Sequence, residues 1–225
     1  TVNGVAVSKT VPENDNLTLT AMATPPAVVD AICAALGGAP IEAKLALLRT
    51  LRTAGGAKAL QTVQAAAADS DEQVKDTAFR VVCEWSTTDA LPMVAELVKS
   101  PPSKTIKVLA LRGFVRLVPQ QDAPDAKKLE SLQDAMAQAE RTEEKRLVLS
   151  ALGNVPSVGS LAVVTSHLET PDLKEEACLA AVAIAEKIAS AHGAEVAAAM
   201  SQVAKLTANE KLAARAKALA RKAKQ

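Results

Sequence analysis

Apolar residues recur at helical spacing from residue 26 to the end of the chain, with short breaks rich in Pro, Gly, Ser and Asp between them. Glycine pairs at 37–38 and 55–56 end two such stretches, and a proline pair at 101–102 separates two others. Because Gly ends helices and Pro begins them, these breaks predict about six helical hairpins. The second helices are expected to begin near residues 40, 71, 103, 143, 171 and 208. Spacings of roughly 30–40 residues are typical of helical solenoids, so the pattern predicts an all-α fold.

The first 24 residues follow a different pattern. β-branched valines precede a turn-forming cluster at 12–16, and Leu alternates with Thr at 17–20. Alternation of this kind around a turn predicts a short β hairpin or an extended segment, or else the end of a preceding domain. The sequence therefore divides into this segment, 1–24, and a helical repeat domain, 25–225.

Two of the predicted second helices are similar to each other in sequence. VKDTAFRVV at 74–82 aligns with IKVLALRGF at 106–114, with Lys, Ala and Arg in the same places. Apolar residues cover more than half of the circumference of each such helix, which indicates contact with neighbours on both sides. One hairpin cannot bury that surface alone, whereas a stack of hairpins can.

These features resemble those of HEAT-like α-helical repeat proteins over roughly residues 26–225. The resemblance rests on the paired-helix period, on Asp, Ser or Pro breaks within pairs (at 69–71, 101–102 and 170–172), and on the element ALGNV at 151–155. It implies an α-α superhelix of about six antiparallel helix pairs. It also implies a scaffolding or partner-binding role, which is the usual work of such repeats.

A further resemblance concerns residues 145–161, KRLVLSALGNVPSVGSL. This segment is similar to HEAT-like segments of bacterial multidomain proteins, which are often exported and carry carbohydrate-active or redox domains. It implies an alternative role as the accessory repeat domain of a larger exported enzyme. If the chain is part of a longer protein, a periplasmic or exported location is slightly favoured over a cytoplasmic one.

Composition narrows the classes of function. Of 225 residues, 49% are hydrophobic but only 1% are aromatic, which argues against a β-sandwich and against aromatic stacking on nucleic acid. With 26 basic and 25 acidic residues the net charge is +1, so there is no overall basic field to attract nucleic acid or a membrane surface. No run of 18 apolar residues exists to span a membrane.

The candidate binding residues come from the second helices, which in HEAT-like arrays usually line the concave face. Polar residues at helical spacing give six candidates on three of these helices: Arg80, Glu84, Arg112, Arg116, Arg146 and Ser150. Side by side, the four arginines would form a basic series, here called the arginine ladder. Arg recognises carboxylates and phosphates with two parallel hydrogen bonds, so an acidic protein or peptide is the expected partner. The alternative is a solvated face with local ion pairs, such as Glu143 with Arg146.

Residues typical of catalysis, metal binding or cofactor binding are sparse. Cys33, Cys83 and Cys178 are far apart in apolar helical contexts, which indicates buried small side chains, with a reactive thiol at Cys178 as the alternative. His167 and His192 have no ligand partner nearby in sequence, and no phosphate loop or nucleophile elbow is present. We therefore expect no catalytic residue, no metal and no cofactor.

The function predicted from the sequence is a non-catalytic protein interaction or scaffold module. Besides the accessory-domain alternative, HEAT-like DNA glycosylases are a second alternative, but they resemble this chain poorly because they use Trp, Tyr and Asp in a basic groove. This chain has one Trp and no Tyr. Its basic C-terminal helix, about 208–223, is expected to be a polar cap for the end of the stack, with binding to nucleic acid or anionic lipid as the alternative.

Overall fold

The computed structural model of the protein describes residues 25–223, and the segment 1–24 with its expected hairpin lies outside them. The described residues form twelve α-helices and two short 3-10 helices, which confirms the all-α prediction for this part of the chain. The α-helices are α1 Pro26–Leu36, α2 Ile41–Ala54, α3 Ala57–Ala66, α4 Glu72–Cys83, α5 Leu91–Lys99, α6 Lys104–Leu117, α7 Asp125–Gln138, α8 Thr142–Leu152, α9 Val158–Thr165, α10 Lys174–Ile188, α11 Gly193–Leu206 and α12 Glu210–Lys222. The 3-10 helices are Thr88–Ala90 and Val118–Gln120.

The helices pack as consecutive pairs whose second members form one continuous row. Each second helix contacts the next, in the order α2, α4, α6, α8, α10 and α12. The first helices also contact one another from α1 to α3 and from α5 through α7 and α9 to α11. Every second helix except α12 therefore has a first-helix partner on one side and a following second helix on another, as the wide apolar faces require.

Local capping explains several helix starts. The carboxylate of Asp71 accepts hydrogen bonds from the N–H groups of Gln73 (2.9 Å) and Val74 (3.1 Å) at the start of α4. The hydroxyl of Ser103 accepts one from Ile106 (3.2 Å) at the start of α6. Such side chains satisfy backbone donors that have no partner within the helix.

One predicted helix start is wrong. The fifth second helix, α10, begins at Lys174 and not at residue 171. Residues 171–173 form a turn in which the carbonyl of Thr170 accepts from the N–H groups of Leu173 (3.0 Å) and Lys174 (2.8 Å). The Pro and Asp in this turn favour a helix start and a turn equally, so the sequence pattern could not separate the two.

The large side chain of Trp85 is buried, and small residues occupy a close contact between α8 and α10. Trp85, just after α4, is fully buried, whereas Phe79 and Phe114 are half-buried against the core. In α10 the buried positions include four alanines (Ala177, Ala180, Ala181 and Ala185). The Cα of Ala180 lies 3.3 Å from the place where a Cβ on Gly153 would stand. Small residues therefore let α8 and α10 approach closely.

Candidate functional site

A groove of about 1170 Å³ lies where the end of α4 adjoins α6 and α8. Five of the six candidate residues from the sequence line it, one just after α4 and the others on α6 and α8: Glu84, Arg112, Arg116, Arg146 and Ser150. The sixth, Arg80, lies one turn earlier near the end of α4 and is not part of the lining. The fold thus brings most of the predicted positions to one place.

The base of the groove is formed by a close approach of α6 to the end of α4. A Cβ added to Gly113 would stand 2.3 Å from the carbonyl oxygen of Cys83, which is closer than any real Cβ contact. Only glycine therefore fits at this point on α6. Sequence reasoning did not single out Gly113, although an isolated glycine inside a helical pattern commonly marks such a contact.

Arg116 is held by the end of α4. Its Nη2 atom donates to the carbonyl oxygen of Trp85 at 2.7 Å and to that of Cys83 at 3.3 Å. The last carbonyls of a helix have no partner within the helix and carry partial negative charge, so a guanidinium there is stabilising. Arg116 therefore joins α6 to α4, while its charge remains without a carboxylate partner among the described residues.

Arg146 and Arg112 are the more open arginines of the groove. Arg146 donates from Nε to the carbonyl oxygen of Asp172 at 2.8 Å, which leaves both terminal nitrogens of the guanidinium without a protein acceptor in the described chain. Arg112 is exposed and makes neither a hydrogen bond nor an ion pair with any residue in 25–223. The Glu143–Arg146 ion pair considered from the sequence is not formed in this part of the protein, although Glu143 also lines the groove.

Arg80 and Glu84 are already paired within the protein. Arg80 donates from Nε to the Asp76 carboxylate at 2.5 Å, one helical turn away. The hydrogen bond to Asp76 and the negative charge of the Asp76 carboxylate raise the pKa of Arg80 above its ordinary value. Glu84 forms an ion pair with Arg52 of α2. The arginine ladder therefore separates into one neutralised member, Arg80, and three members without carboxylate partners in the described structure.

The buried thiols are unreactive by their environment. Burial raises the pKa of Cys83, whose backbone lies at the base of the groove, to about 12. Burial also raises the pKa of Cys178 to about 11. Since the thiolate is the nucleophilic form, both cysteines stay protonated and inert near neutral pH. This supports the small-side-chain interpretation of Cys178 over the reactive-thiol alternative.

The described residues hold no group of three or more His, Cys, Asp and Glu side chains placed to bind a metal ion. His167 lies just beyond the end of α9, where burial and then the charge of Lys145 lower its pKa. His192 precedes α11 and is exposed. The two histidines belong to different helix ends, and neither lines the groove.

No protein-family model, no curated protein and no solved structure matches this chain. In residues 25–223, no helix combines the length and the apolar character needed to cross a membrane.

Proposed function

We propose that this chain is a HEAT-like helical repeat module that binds another protein without catalysis, through the groove at α4, α6 and α8. The observation that carries the proposal is the gathering of three arginines without carboxylate partners in one groove: Arg112, Arg116 and Arg146. Guanidinium groups in such a place favour carboxylates, so the partner offers an acidic surface or segment.

The packing supports a solenoid interpretation. Consecutive helix pairs whose second helices contact in order are the arrangement expected of a stack in which each repeat touches its neighbours. A HEAT-like superhelix of six antiparallel pairs would place the row of second helices on its concave face. The groove would then lie near the middle of the extended surface that such stacks use for binding.

Local charges also support an acidic partner. Glu84 is neutralised by Arg52, so Glu143 is the one remaining acidic residue of the groove lining. The positive charges of the three arginines exceed the single negative charge of Glu143. Arg116 and Arg146 are each held in place through one nitrogen, which lowers the entropy lost when the remaining donors bind a ligand.

The test is comparative affinity capture from the native source. The wild-type protein is compared with a groove variant, Arg112→Glu with Arg146→Glu, and with a matched control, Lys211→Glu with Lys217→Glu. Both control lysines are exposed on α12 and outside the groove, and neither is in an ion pair of the described structure. Circular dichroism melting of all three proteins establishes that each is folded.

We expect the groove variant to lose at least one protein that wild type and control both retain, with about a tenfold or greater fall in affinity. Binding of that protein should also weaken as salt rises, because the contact is electrostatic. Identical sets of captured proteins for the groove variant and the wild type would contradict the assignment of this surface.

A further inference from the structure

Exposed leucines lie on α8, which carries Arg146, and on the next second helix, α10. Large hydrophobic residues are rarely exposed in residues 25–223, and two that are exposed lie on neighbouring second helices: Leu147 on α8 (38% exposed) and Leu179 on α10 (46% exposed). Leu147 directly follows Arg146 and lines the groove, as does the half-buried Leu109 of α6. The row therefore presents cationic and apolar side chains together on its central helices.

From this pairing we infer that the groove binds an extended protein segment in which carboxylates and apolar side chains recur at about every third residue. The inference rests on the proposed function and specifies its ligand. The segment crosses α6, α8 and α10 in turn. Its carboxylates meet Arg112 and Arg146, and its apolar side chains meet the exposed leucines.

The spacing follows from two dimensions. Packed helices lie roughly 8–10 Å apart. An extended chain in the polyproline II conformation advances about 3.1 Å per residue with three residues per turn, so every third side chain faces the same way and about three residues carry the chain from one helix to the next. A segment that crosses three second helices therefore repeats its contacts with that period.

Apolar contacts and cations together favour a protein ligand over a nucleic acid. The groove lining contains no aromatic side chain on which a base could stack. Glu143, the lining carboxylate without an ion pair in the described residues, would repel a continuous polyanion more than a segment with spaced carboxylates. Arginine is one of the residues enriched at the energetic centre of protein interfaces.

The probe is a fluorescently labelled peptide with four repeats of Glu-Leu-Ser, titrated with the full chain by anisotropy. Three control peptides each change one property. Repeats of Lys-Leu-Ser reverse the charge, repeats of Glu-Ser-Ser remove the apolar side chains, and a peptide of the same composition groups its Glu, Leu and Ser residues in blocks. An oligothymidine of similar length tests a phosphate ligand.

We expect the Glu-Leu-Ser peptide to bind about tenfold more tightly than the Lys-Leu-Ser peptide and severalfold more tightly than the other probes. The variant Arg112→Glu with Arg146→Glu should lose about tenfold in affinity for it. Equal binding of the Lys-Leu-Ser peptide or of the block peptide, or tighter binding of oligothymidine, would overturn the inference. So would the absence of binding by every peptide at millimolar concentration.

The role of the exposed leucines is tested by the ratio of the affinities for the Glu-Leu-Ser and Glu-Ser-Ser peptides. The variant Leu147→Ser with Leu179→Ser should bind Glu-Leu-Ser and Glu-Ser-Ser repeats equally, whereas the wild type separates them. Val28→Ser with Ile41→Ser is the matched control, because these residues are similarly exposed but lie at the α1 and α2 end of the chain. A leucine variant that keeps the wild-type ratio would overturn the apolar part of the inference.

The two proposals fail differently. If the native source yields a protein that depends on Arg112 and Arg146 while no peptide shows the expected order of affinities, the ligand class is wrong and the binding surface stands. If neither the capture nor the peptides depend on these arginines, the binding surface is wrong as well.

Discussion

The central and C-terminal parts of the second-helix row use similar residues in opposite ways. Between α10 and α12, Arg215 donates to the Glu186 carboxylate at 2.5 Å. In the groove between α4, α6 and α8, Arg112 has no partner in the described chain, and Arg116 and Arg146 donate only to backbone carbonyls. An arginine on a second helix is therefore not by itself a candidate binding residue. What differs is whether the arginine of one helix meets a carboxylate of its neighbour.

In the N-terminal part of the row of second helices, as in the C-terminal part, an arginine pairs with a carboxylate of the neighbouring unit. Arg52 of α2 pairs with Glu84 after α4, across the same kind of junction. One such ion pair thus lies at the N-terminal edge of the groove, through Glu84, and another lies beyond the groove between α10 and α12. Removal of such pairs should change stability slightly, whereas changes in the groove should affect binding or the close contact beneath it.

The largest effect is expected at the contact that forms the groove. Gly113→Ala should lower the free energy of unfolding by about 2 kcal/mol or more, because the new Cβ would overlap the Cys83 carbonyl and α4 and α6 must separate. Gly38→Ala is the control, since nothing lies within 4 Å of the added Cβ there. Chemical denaturation measures both, and equal stability of the two variants would refute the close contact.

The next effect separates the two arginines of α6. Arg116→Ala should cost about 1 kcal/mol of unfolding free energy, because the carbonyls of Cys83 at the end of α4 and of Trp85 just after it lose a charged donor. Arg112→Ala should stay within about 0.5 kcal/mol of the wild type, since its side chain has no partner in the described residues. Equal losses would show that Arg112 also has a structural role.

A smaller effect concerns acid sensitivity in the C-terminal part. The Glu175 carboxylate accepts from the N–H of Ala208 (2.9 Å) and the hydroxyl of Thr207 (2.7 Å), and these bonds lower the pKa of Glu175 below its ordinary value near 4.5. A lowered folded-state pKa gives stability that is present above the ordinary value and is lost as the pH falls through the lower one. Glu175→Gln should therefore lower Tm at pH 6, with the difference from wild type shrinking toward pH 3. A constant difference would contradict this role.

The smallest effect is expected at the exposed ion pair of α10 and α12. Glu186→Gln should destabilise the protein by about 0.3 kcal/mol at low salt, and this loss should vanish at high salt because the pair is screened. Glu96→Gln on α5 is the control, since Glu96 is exposed and without an ion pair in the described residues. A loss that persists at high salt would indicate a contact other than the ion pair.

The sequence predicted the helices well because their determinants are local. Spacing of apolar residues and capping signals placed five of the six second-helix starts within two residues. The predicted start of α10 at residue 171 was wrong, because Pro171 and Asp172 are as common in a turn as in the first turn of a helix. The ion pair of Arg80 with Asp76 also has a local cause, since the two residues lie four positions apart on one face of α4.

The rest of the site could not be predicted because it depends on how the helices are placed against one another. Arg116 reaches residues more than thirty positions earlier, at the end of α4. That distance depends on the contact at Gly113, which the apolar pattern does not encode. Leu147 and Leu179 follow the helical apolar period in sequence, so only the packing shows that they are exposed.

Trp85 gives the chain a spectroscopic probe at one defined position. It is the only tryptophan, it is fully buried, and its carbonyl holds Arg116 beside the groove. Its fluorescence therefore follows the junction of α4 and α6, whereas far-ultraviolet circular dichroism averages over all helices. In a stack stabilised mainly by contacts between neighbours, the end pairs unfold more readily than the middle. If the two signals have different midpoints, the difference measures how far the ends open before the centre does.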